Sequence, residues 1–289
     1  WTKEPIEPGK SGSITVSYNP AGRPGVFTKS ITVYSNATEE QTTLFIKGEV
    51  LTQPRSASEN YPITFGPDLR AKTKLVQMNN IEKGKNQVRQ LEIMNPGKAP
   101  VKVAVENLPN HITYTVIPEV LNAEQTGVIS FTFNSKLCSG WGPLTDEGFI
   151  VVNGQKNLNE EYKVKILSNI VENFKDMTRE QKQKAPIFET SQRTVDFGVV
   201  KTGTKKHLKI KIGNKGIDNL EIRRVINYNR EITILPEKLT VTSGKEGSIT
   251  ATVDTKNLNE GDYKRNITLQ TNDPDNSLVT IVLSWKVQK

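Results

Sequence analysis

Residues 247–250, Gly-Ser-Ile-Thr, repeat residues 12–15 of the same chain, and this repeat decides the fold. Eleven or twelve residues after the isoleucine, a glycine opens a second segment that ends Ile-Thr-Val or Ile-Thr-Leu. Both copies then pass through a turn led by asparagine, Asn36 or Asn272, into a final apolar segment. The repeated order of strand, glycine loop, strand, turn and strand indicates one supersecondary unit used twice.

Polar and apolar residues alternate along these segments, which is typical of strands with one buried face. The alternation predicts strands at residues 13–18, 27–35 and 43–50, separated by turns rich in Gly, Pro and Asn. Short strands at regular spacing favour a β-sandwich. The sequence therefore predicts an all-β fold of tandem immunoglobulin-like sandwiches, with one short linker helix.

The C-terminal domain begins with a signature of its own. Val195-Asp196-Phe197-Gly198 leads to Gly203, a strand at 208–212 and the turn Asn214-Lys215-Gly216. A looser copy in the middle of the chain has these parts: Thr64-Phe65-Gly66, Gly84, a strand at 91–93, and Asn95-Pro96-Gly97. The longer spacing in the middle copy predicts an insertion at residues 67–80.

These two signatures divide the chain. Residues 1–52 match only the second half of the C-terminal domain, residues 60–170 and 187–289 each form a sandwich, and residues 171–186 form a helical linker. Residues 172–184 are the one helical candidate, with a capping box of Thr178 and Gln181 and with Pro186 as the stop.

Half a sandwich cannot bury its apolar face by itself, because three strands leave that face open to water. The residues that need cover are Ile14, Val16, Phe27, Ile31, Val33, Leu44 and Ile46. Either residues that precede this chain supply the cover, or a partner donates strands to it.

Composition excludes several classes of function. Net charge is +8, but the densest basic run, residues 205–211, alternates in the manner of an exposed strand face, which predicts no nucleic-acid site. No apolar run reaches the length of a membrane span. One cysteine, Cys138, and two histidines, His111 and His207, cannot make a disulfide or a metal cluster. Catalytic motifs are absent, so we predict no enzyme, no cofactor and no metal.

The best candidate for a ligand or partner contact is Trp141, which glycines bracket in a loop at residues 138–144. An exposed loop tryptophan can stack on a sugar or anchor a protein partner, whereas a buried one plugs the end of a sandwich. Trp285 alternates with apolar neighbours and is predicted to lie in the core. Residues 273–276, Asp-Pro-Asp-Asn, are predicted to form a simple turn rather than a calcium loop.

Residues 1–50 closely resemble the DUF1573 family, a domain of unknown function common in Bacteroidetes envelope proteins. The resemblance is carried by residues 1–12, by Ile14-Thr15-Val16, Gly25, Phe27, Lys29 and Ile31-Thr32-Val33, and by Ser35-Asn36 and residues 44–48. The whole chain resembles multi-domain members and, more distantly, modules of the PapD and ASPM–SPD-2–hydin type. The resemblance implies secretion to the periplasm or cell surface. It also implies a signal peptide and a Cys-Gly-Cys stretch ahead of Trp1, neither of which this chain contains.

Three functions remain open. The first is a non-catalytic envelope interaction or scaffold protein whose protein partners are unknown. The second is a carbohydrate-binding accessory protein that uses loop aromatics such as Trp141 on a glycan. The third is a PapD-like chaperone or assembly factor, which would need an unpaired and uncharged edge strand.

Overall fold

The computed structural model describes residues 4–51 and 56–289, and it shows two compact units, Trp1–Ser56 and Ala57–Lys289. Strands dominate both units, and the only two helices among the described residues have four and six residues. The prediction of an all-β fold with tandem immunoglobulin-like sandwiches is confirmed.

The first unit contains one antiparallel hairpin of β1 (Gly25–Tyr34) and β2 (Gln41–Val50). In the turn between them, the Ser35 hydroxyl accepts a hydrogen bond from the Ala37 N–H. The strand predicted at residues 13–18 is wrong, since this segment pairs with no strand that the structure describes. Alternation alone cannot make a strand, because the backbone N–H and C=O groups also need a neighbouring ladder.

The inward face of this hairpin is only partly covered. Phe27 lies across Gly48, where an added Cβ would come within 2.9 Å of the phenyl ring, and Tyr18 stacks on Phe27 at 4.0 Å between centroids. By contrast Ile14 is 42% exposed and Leu44 is 45% exposed. The apolar face that the sequence singled out is therefore still half open to water among the described residues.

The middle sandwich follows the short helix α1 (Ala57–Asn60) and has two five-stranded sheets. One sheet has the order β3-β4-β6-β10-β8 and the other the order β5-β12-β11-β7-β9. The strand bounds are as follows: β3 (Ile63–Thr64), β4 (Arg70–Ala71), β5 (Leu75–Glu82), β6 (Asn86–Met94), β7 (Val101–Glu106), β8 (Ile112–Ile117), β9 (Val120–Leu121), β10 (Thr126–Asn134), β11 (Gly142–Val152) and β12 (Lys163–Val171).

The last sandwich repeats this plan with sheets β13-β15-β19-β17 and β14-β21-β20-β16-β18. The strand bounds are as follows: β13 (Phe188–Glu189), β14 (Thr194–Lys201), β15 (Lys205–Asn214), β16 (Leu220–Ile226), β17 (Ile232–Leu235), β18 (Leu239–Val241), β19 (Glu246–Asp254), β20 (Gly261–Thr271) and β21 (Leu278–Gln288). Each sandwich encloses its own core of aliphatic and aromatic side chains between its two sheets.

The predicted insertion at residues 67–80 is wrong, because this segment contains β4 and most of β5. β5 runs parallel to β12 just as β14 runs parallel to β21. β5 and β14 each contain a residue of positive φ that lies five positions before the next glycine. In β5 this residue is Asn79, before Gly84, and in β14 it is Gly198, before Gly203. Asn79 therefore corresponds to Gly198, and Phe65-Gly66 is not the counterpart of Phe197-Gly198.

Between the sandwiches, helix α2 (Arg179–Lys184) occupies the last part of the segment predicted as helical. The predicted capping box is present: the Thr178 hydroxyl accepts from the Gln181 N–H at 3.2 Å, and the Gln181 side chain accepts from the Thr178 N–H at 2.8 Å. Residues 172–178 are not helical, because a capping box marks the first turn and the helix can only begin after it.

A buried asparagine secures one end of each sandwich. Asn95, which is 0% exposed, donates to the carbonyls of Ala99, Leu121 and Asn122 and accepts from the Gly97 N–H. Asn214 makes the same kind of contacts, donating to two carbonyls and accepting from two N–H groups. The Asn-x-Gly turns that the sequence singled out are thus the points where two loops are joined to the sheet.

We expect Asn95→Ala and Asn214→Ala each to lower the free energy of unfolding by about 2–4 kcal/mol, because each leaves several buried carbonyls without a donor. Chemical denaturation followed by far-UV circular dichroism measures the loss. Asn110→Ala is the control, since Asn110 is exposed, and its effect should stay within about 0.5 kcal/mol. Equal effects at exposed and buried positions would contradict this role.

Candidate functional site

Trp141 lies in the loop between β10 and β11, at the joint between the middle and last sandwiches. Its indole is partly buried and packs on the middle core, which also contains the buried Cys138. The side chain therefore forms neither a fully exposed platform nor a fully buried plug. What surrounds the rest of the ring decides what it can do.

Two cations lie against the indole. The Arg223 guanidinium carbon is 4.7 Å from the ring centroid and the Lys83 ammonium is 5.0 Å from it. A cation within about 6 Å of a tryptophan face gains about 0.5–2 kcal/mol, more as water is excluded. Lys83 also donates a hydrogen bond to the Cys138 carbonyl, which holds it beside the ring.

Arg223 comes from β16 of the last sandwich, so its contact with Trp141 crosses the joint. Its Nε donates to Glu172 at 2.7 Å, and its Nη1 donates to Glu221. Arg223 and Glu172 are mostly buried, with side chains 24% and 16% exposed. Because the guanidinium is held by carboxylates and an aromatic ring together, it is fixed in one orientation.

Backbone groups complete the joint. Arg224 Nη1 donates to the Trp141 carbonyl at 2.7 Å, and Gln270 Nε2 donates to the Ile170 carbonyl at 2.7 Å. Gly142 lies between them with a φ of +67°, and a Cβ there would come within 2.9 Å of both Arg224 Cδ and Gln270 Oε1. Only glycine allows the two sandwiches to approach this closely.

Two open clefts flank Trp141. The larger has a volume of about 410 Å³ and is lined by parts of β16 and β17, by Glu237 and by Lys238. The smaller, of about 220 Å³, lies on the side of Glu221 and Leu239. Lys238 lines both clefts and makes no ion pair that the structure describes. The clefts could admit a polar side chain of a partner at the joint.

The segment before α2 is tied to the middle sandwich by ion pairs. Lys85 contacts Asp176 at 2.9 Å and Lys175 contacts Glu82 at 2.8 Å. The pKa of Asp176 lies below its ordinary value because Lys85 and Asn173 donate hydrogen bonds to its carboxylate. On the other side, the Lys184 carbonyl accepts from the Asp218 N–H at 2.8 Å, so the linker is attached to both sandwiches.

The remaining sequence candidates fall elsewhere. Trp285 is 3% exposed in the last core, where its ring stacks on Tyr263. Asp273 is buried, and its carboxylate accepts from Phe188 and Asp275 N–H groups and from the Asn276 amide, so residues 273–276 form a turn. Every second residue from Lys205 to Lys211 is exposed, as predicted.

Within residues 4–51 and 56–289, no three His, Cys, Asp or Glu side chains are grouped to hold a metal ion. His111 lies in the turn before β8, where it contacts Asp146 at 3.1 Å, and His207 lies in β15 against Thr252. No helix of the described chain is long and apolar enough to cross a membrane.

Sequence reasoning found Trp141 but missed the residues that meet it. In the sequence, Arg223 and Arg224 are simply two adjacent basic residues, and nothing around Glu172 or Gln270 marks either of them. The one available hint was Gly142, since a glycine directly after a loop tryptophan can mark a close approach of another backbone or side chain. Which residues approach could not be read without the arrangement of the two sandwiches.

Two domain families match parts of this chain. Residues 1–50 match DUF1573, described as a protein of unknown function, and residues 186–284 match the HYDIN/CFA65/VesB-like Ig-like domain. The resemblance of the N-terminal segment to DUF1573 is thereby confirmed. No curated protein matches the chain at a significant level.

A solved structure is similar to this chain in fold. A protein of unknown function from Porphyromonas gingivalis has a TM-score of 0.51 at 18% identity, over 76% of this chain and 100% of that one. At this identity the likeness shows the fold alone. The PapD-like domain 7 of human CEP192 has a TM-score of 0.30 at 13% identity, over 40% of this chain and 94% of that one, which is too low to carry an argument.

We expect Arg223→Met to loosen the joint without unfolding either sandwich, because Arg223 belongs to neither core. Amide hydrogen exchange at residues 138–144 and 222–226 should accelerate by about tenfold, the equivalent of about 1.4 kcal/mol. Arg265→Met is the matched control, since Arg265 also stacks over an aromatic ring, Tyr263, and pairs with Glu231. Unchanged exchange in Arg223→Met would contradict the role of this side chain.

We also expect Gly142→Ala to destabilise the protein more than Gly154→Ala. Both glycines have positive φ, but a Cβ at Gly154 meets nothing within 4 Å, whereas one at Gly142 meets Arg224 and Gln270. The backbone cost of about 1–2 kcal/mol is common to both substitutions. The difference between their denaturation midpoints isolates the contact across the joint, and equal midpoints would rule it out.

The Asp176 carboxylate should titrate below its ordinary pKa of 3.8. Since the folded pKa is depressed, its stabilising contribution is complete above that value and is lost as pH falls through the folded pKa. Carbon-detected NMR of the carboxyl group measures the midpoint. Lys85→Met removes the main donor and should raise the midpoint toward 3.8, while an unmoved midpoint would show that this ion pair does not form.

Proposed function

We propose that this chain is a non-catalytic interaction or scaffold protein of the cell envelope, in which the middle and last sandwiches act as one rigid arm. The observation that carries the proposal is the joint. Its contacts use an aromatic ring, two arginines, two carboxylates and a buried amide. A fixed angle between modules is useful for holding partners apart, and loops at sandwich ends then provide the contacts.

The joint distinguishes this arrangement from a flexible string of modules. Contacts between domains of one chain are ordinarily polar and loose, so relative motion is the default. Here the linker hydrogen-bonds to both sandwiches, and a glycine is required at their closest approach. Rigidity of this kind supports a spacer role more than a hinge.

The proposed location is the periplasm or the cell surface of a Bacteroidetes cell. It is supported by the match of residues 1–50 to DUF1573, a domain common in Bacteroidetes envelope proteins. The immunoglobulin-like match at residues 186–284 agrees with a protein that works by binding.

Carbohydrate binding through Trp141 is the second candidate, and the geometry supports it less. Arg223 and Lys83 already lie against the indole ring, and a sugar would have to displace a cation that is also held by two carboxylates. A PapD-like chaperone role is the third candidate, and it needs an edge strand that is free to pair with a partner. Its support therefore depends on whether an edge strand of the middle sandwich is open.

The experiment that tests the scaffold role is crosslinking of the protein in its native envelope, read by mass spectrometry, with Arg223→Met beside the wild type. We expect a small set of envelope proteins crosslinked through loops of both sandwiches, and fewer double contacts when the joint is loosened. Recovery of polysaccharide alone, lost in Trp141→Ala but kept in Trp285→Phe, would support the carbohydrate role instead. Recovery of neither would overturn the proposal.

A further inference from the structure

Sheet edges are the surfaces of this protein that differ most in how they are protected. An edge strand presents unpaired N–H and C=O groups, so proteins shorten it, charge it, bulge it or cap it. Among the sandwich edges that the structure describes, β3, β9, β13 and β18 have only two or three residues. Four longer edges remain: β5, β8, β14 and β17.

Three of these four are protected. β5 and β14 are each interrupted by an irregular register next to a residue of positive φ, and β14 also carries Asp196. In β17, the Asn227 side chain donates to the Ile232 carbonyl at 2.7 Å, and Pro236, which has no N–H, follows two residues after Ile234.

The fourth edge, β8, ends before Pro118 as β17 ends before Pro236, but it has neither an irregular register nor a capped carbonyl among the described contacts. It reads Ile-Thr-Tyr-Thr-Val-Ile, with no charge, proline, glycine or bulge, and pairs only with β10 among the described strands. Thr115 of β8 lies opposite Ser130, and Leu235 of β17 lies opposite Thr250. Ser130 and Thr250 each come three residues after a glycine, so Thr115 and Leu235 occupy corresponding positions. β8 therefore runs two residues further before its proline, Pro118, than β17 does before Pro236.

The main-chain direction of β8 follows from one bond. The Asn134 N–H donates to the His111 carbonyl at 2.8 Å. The main-chain N–H and C=O groups of every second residue from His111 onward therefore point toward β10. The N–H and C=O groups of Tyr114 and Val116 therefore point away from the sheet, and no partner is described for them. Thr113, Thr115 and Ile117 have exposed side chains on the outer face.

This edge is complementary to itself. Two copies of β8 can lie antiparallel about a two-fold axis at Thr115, which places Tyr114 of one copy opposite Val116 of the other. Tyr114 and Val116 then form two hydrogen-bonded pairs across the axis, with about four main-chain hydrogen bonds in total. A protein with a net charge of +8 would resist most self-contacts, but β8 brings no like charges together.

We propose that the β8 edge is a self-association surface through which a second copy of this chain continues the sheet of the middle sandwich. The inference deepens the proposed scaffold function, on which it rests, by naming one partner. In the resulting dimer two rigid arms are joined edge to edge, and Thr115 of each copy meets Thr115 of the other.

The register makes the test specific. Thr115→Cys places the two cysteines opposite each other in a pair that is not hydrogen-bonded. The Cα atoms of such a pair are about 4.5 Å apart, which is within disulfide range. Thr113→Cys is the matched control, because in this register the two copies of residue 113 lie about 13 Å apart along the strands. The native Cys138 is only 3% exposed and serves as an internal background in both variants.

Mild oxidation of the full-length Thr115→Cys variant should yield disulfide-linked dimers at least tenfold faster than Thr113→Cys. Equal rates, or no dimer in either variant, would overturn the proposal. Sedimentation equilibrium provides the second measurement: Thr115→Lys should weaken dimerisation at least tenfold, while Leu235→Lys, at the corresponding position of β17, should not.

Dimerisation that Thr115→Lys leaves unchanged, for example through the open face of the N-terminal hairpin, also counts against the proposal. Crosslinks to envelope proteins without a Thr115-dependent dimer would remove this inference and keep the scaffold role. A Thr115-dependent dimer with no envelope partner would do the reverse.

Discussion

The contact of Arg223 with Trp141 is the interaction on which the arrangement of the two sandwiches depends. The guanidinium stacks on an indole that belongs to one sandwich while its own strand belongs to the other, and Glu172 from the linker neutralises it. A single charge is thus shared by three parts of the chain. Partial burial of the guanidinium is tolerated because Trp141, Glu172 and Glu221 contact it together.

At the ends of the sandwiches, too, one polar side chain contacts several parts of the chain. Asn95 and Asn214 each use one amide to bind several carbonyls and one or two N–H groups, which joins the loops to the sheet. The sandwiches are therefore stabilised by buried polar groups at their ends and by aliphatic and aromatic packing in the middle. Because hydrogen bonds are directional, each amide fixes the orientation of the loops that it joins.

Edges show where the repetition between the two sandwiches stops. Both outer strands end before a proline, but β17 also has a capped carbonyl, whereas β8 is two residues longer and has no such cap among the described contacts. The two extra residues and the missing cap leave the outward main-chain groups of Tyr114 and Val116 without a described partner. In a scaffold protein, such an edge is the natural place for assembly, since main-chain hydrogen bonds need no special side chains.

The sequence by itself determined the all-β class, the capping box at Thr178, the burial of Trp285 and the two Asn-x-Gly turns, because each depends on spacing between near neighbours. It misplaced a strand at residues 13–18 and an insertion at 67–80, because both depend on which distant strand supplies the hydrogen bonds. Trp141 was visible as a candidate, but its role was not. Only the tertiary structure brought Arg223, Glu172 and Gln270 to the joint, since contacts between residues 50 to 100 positions apart leave no periodic trace in the sequence.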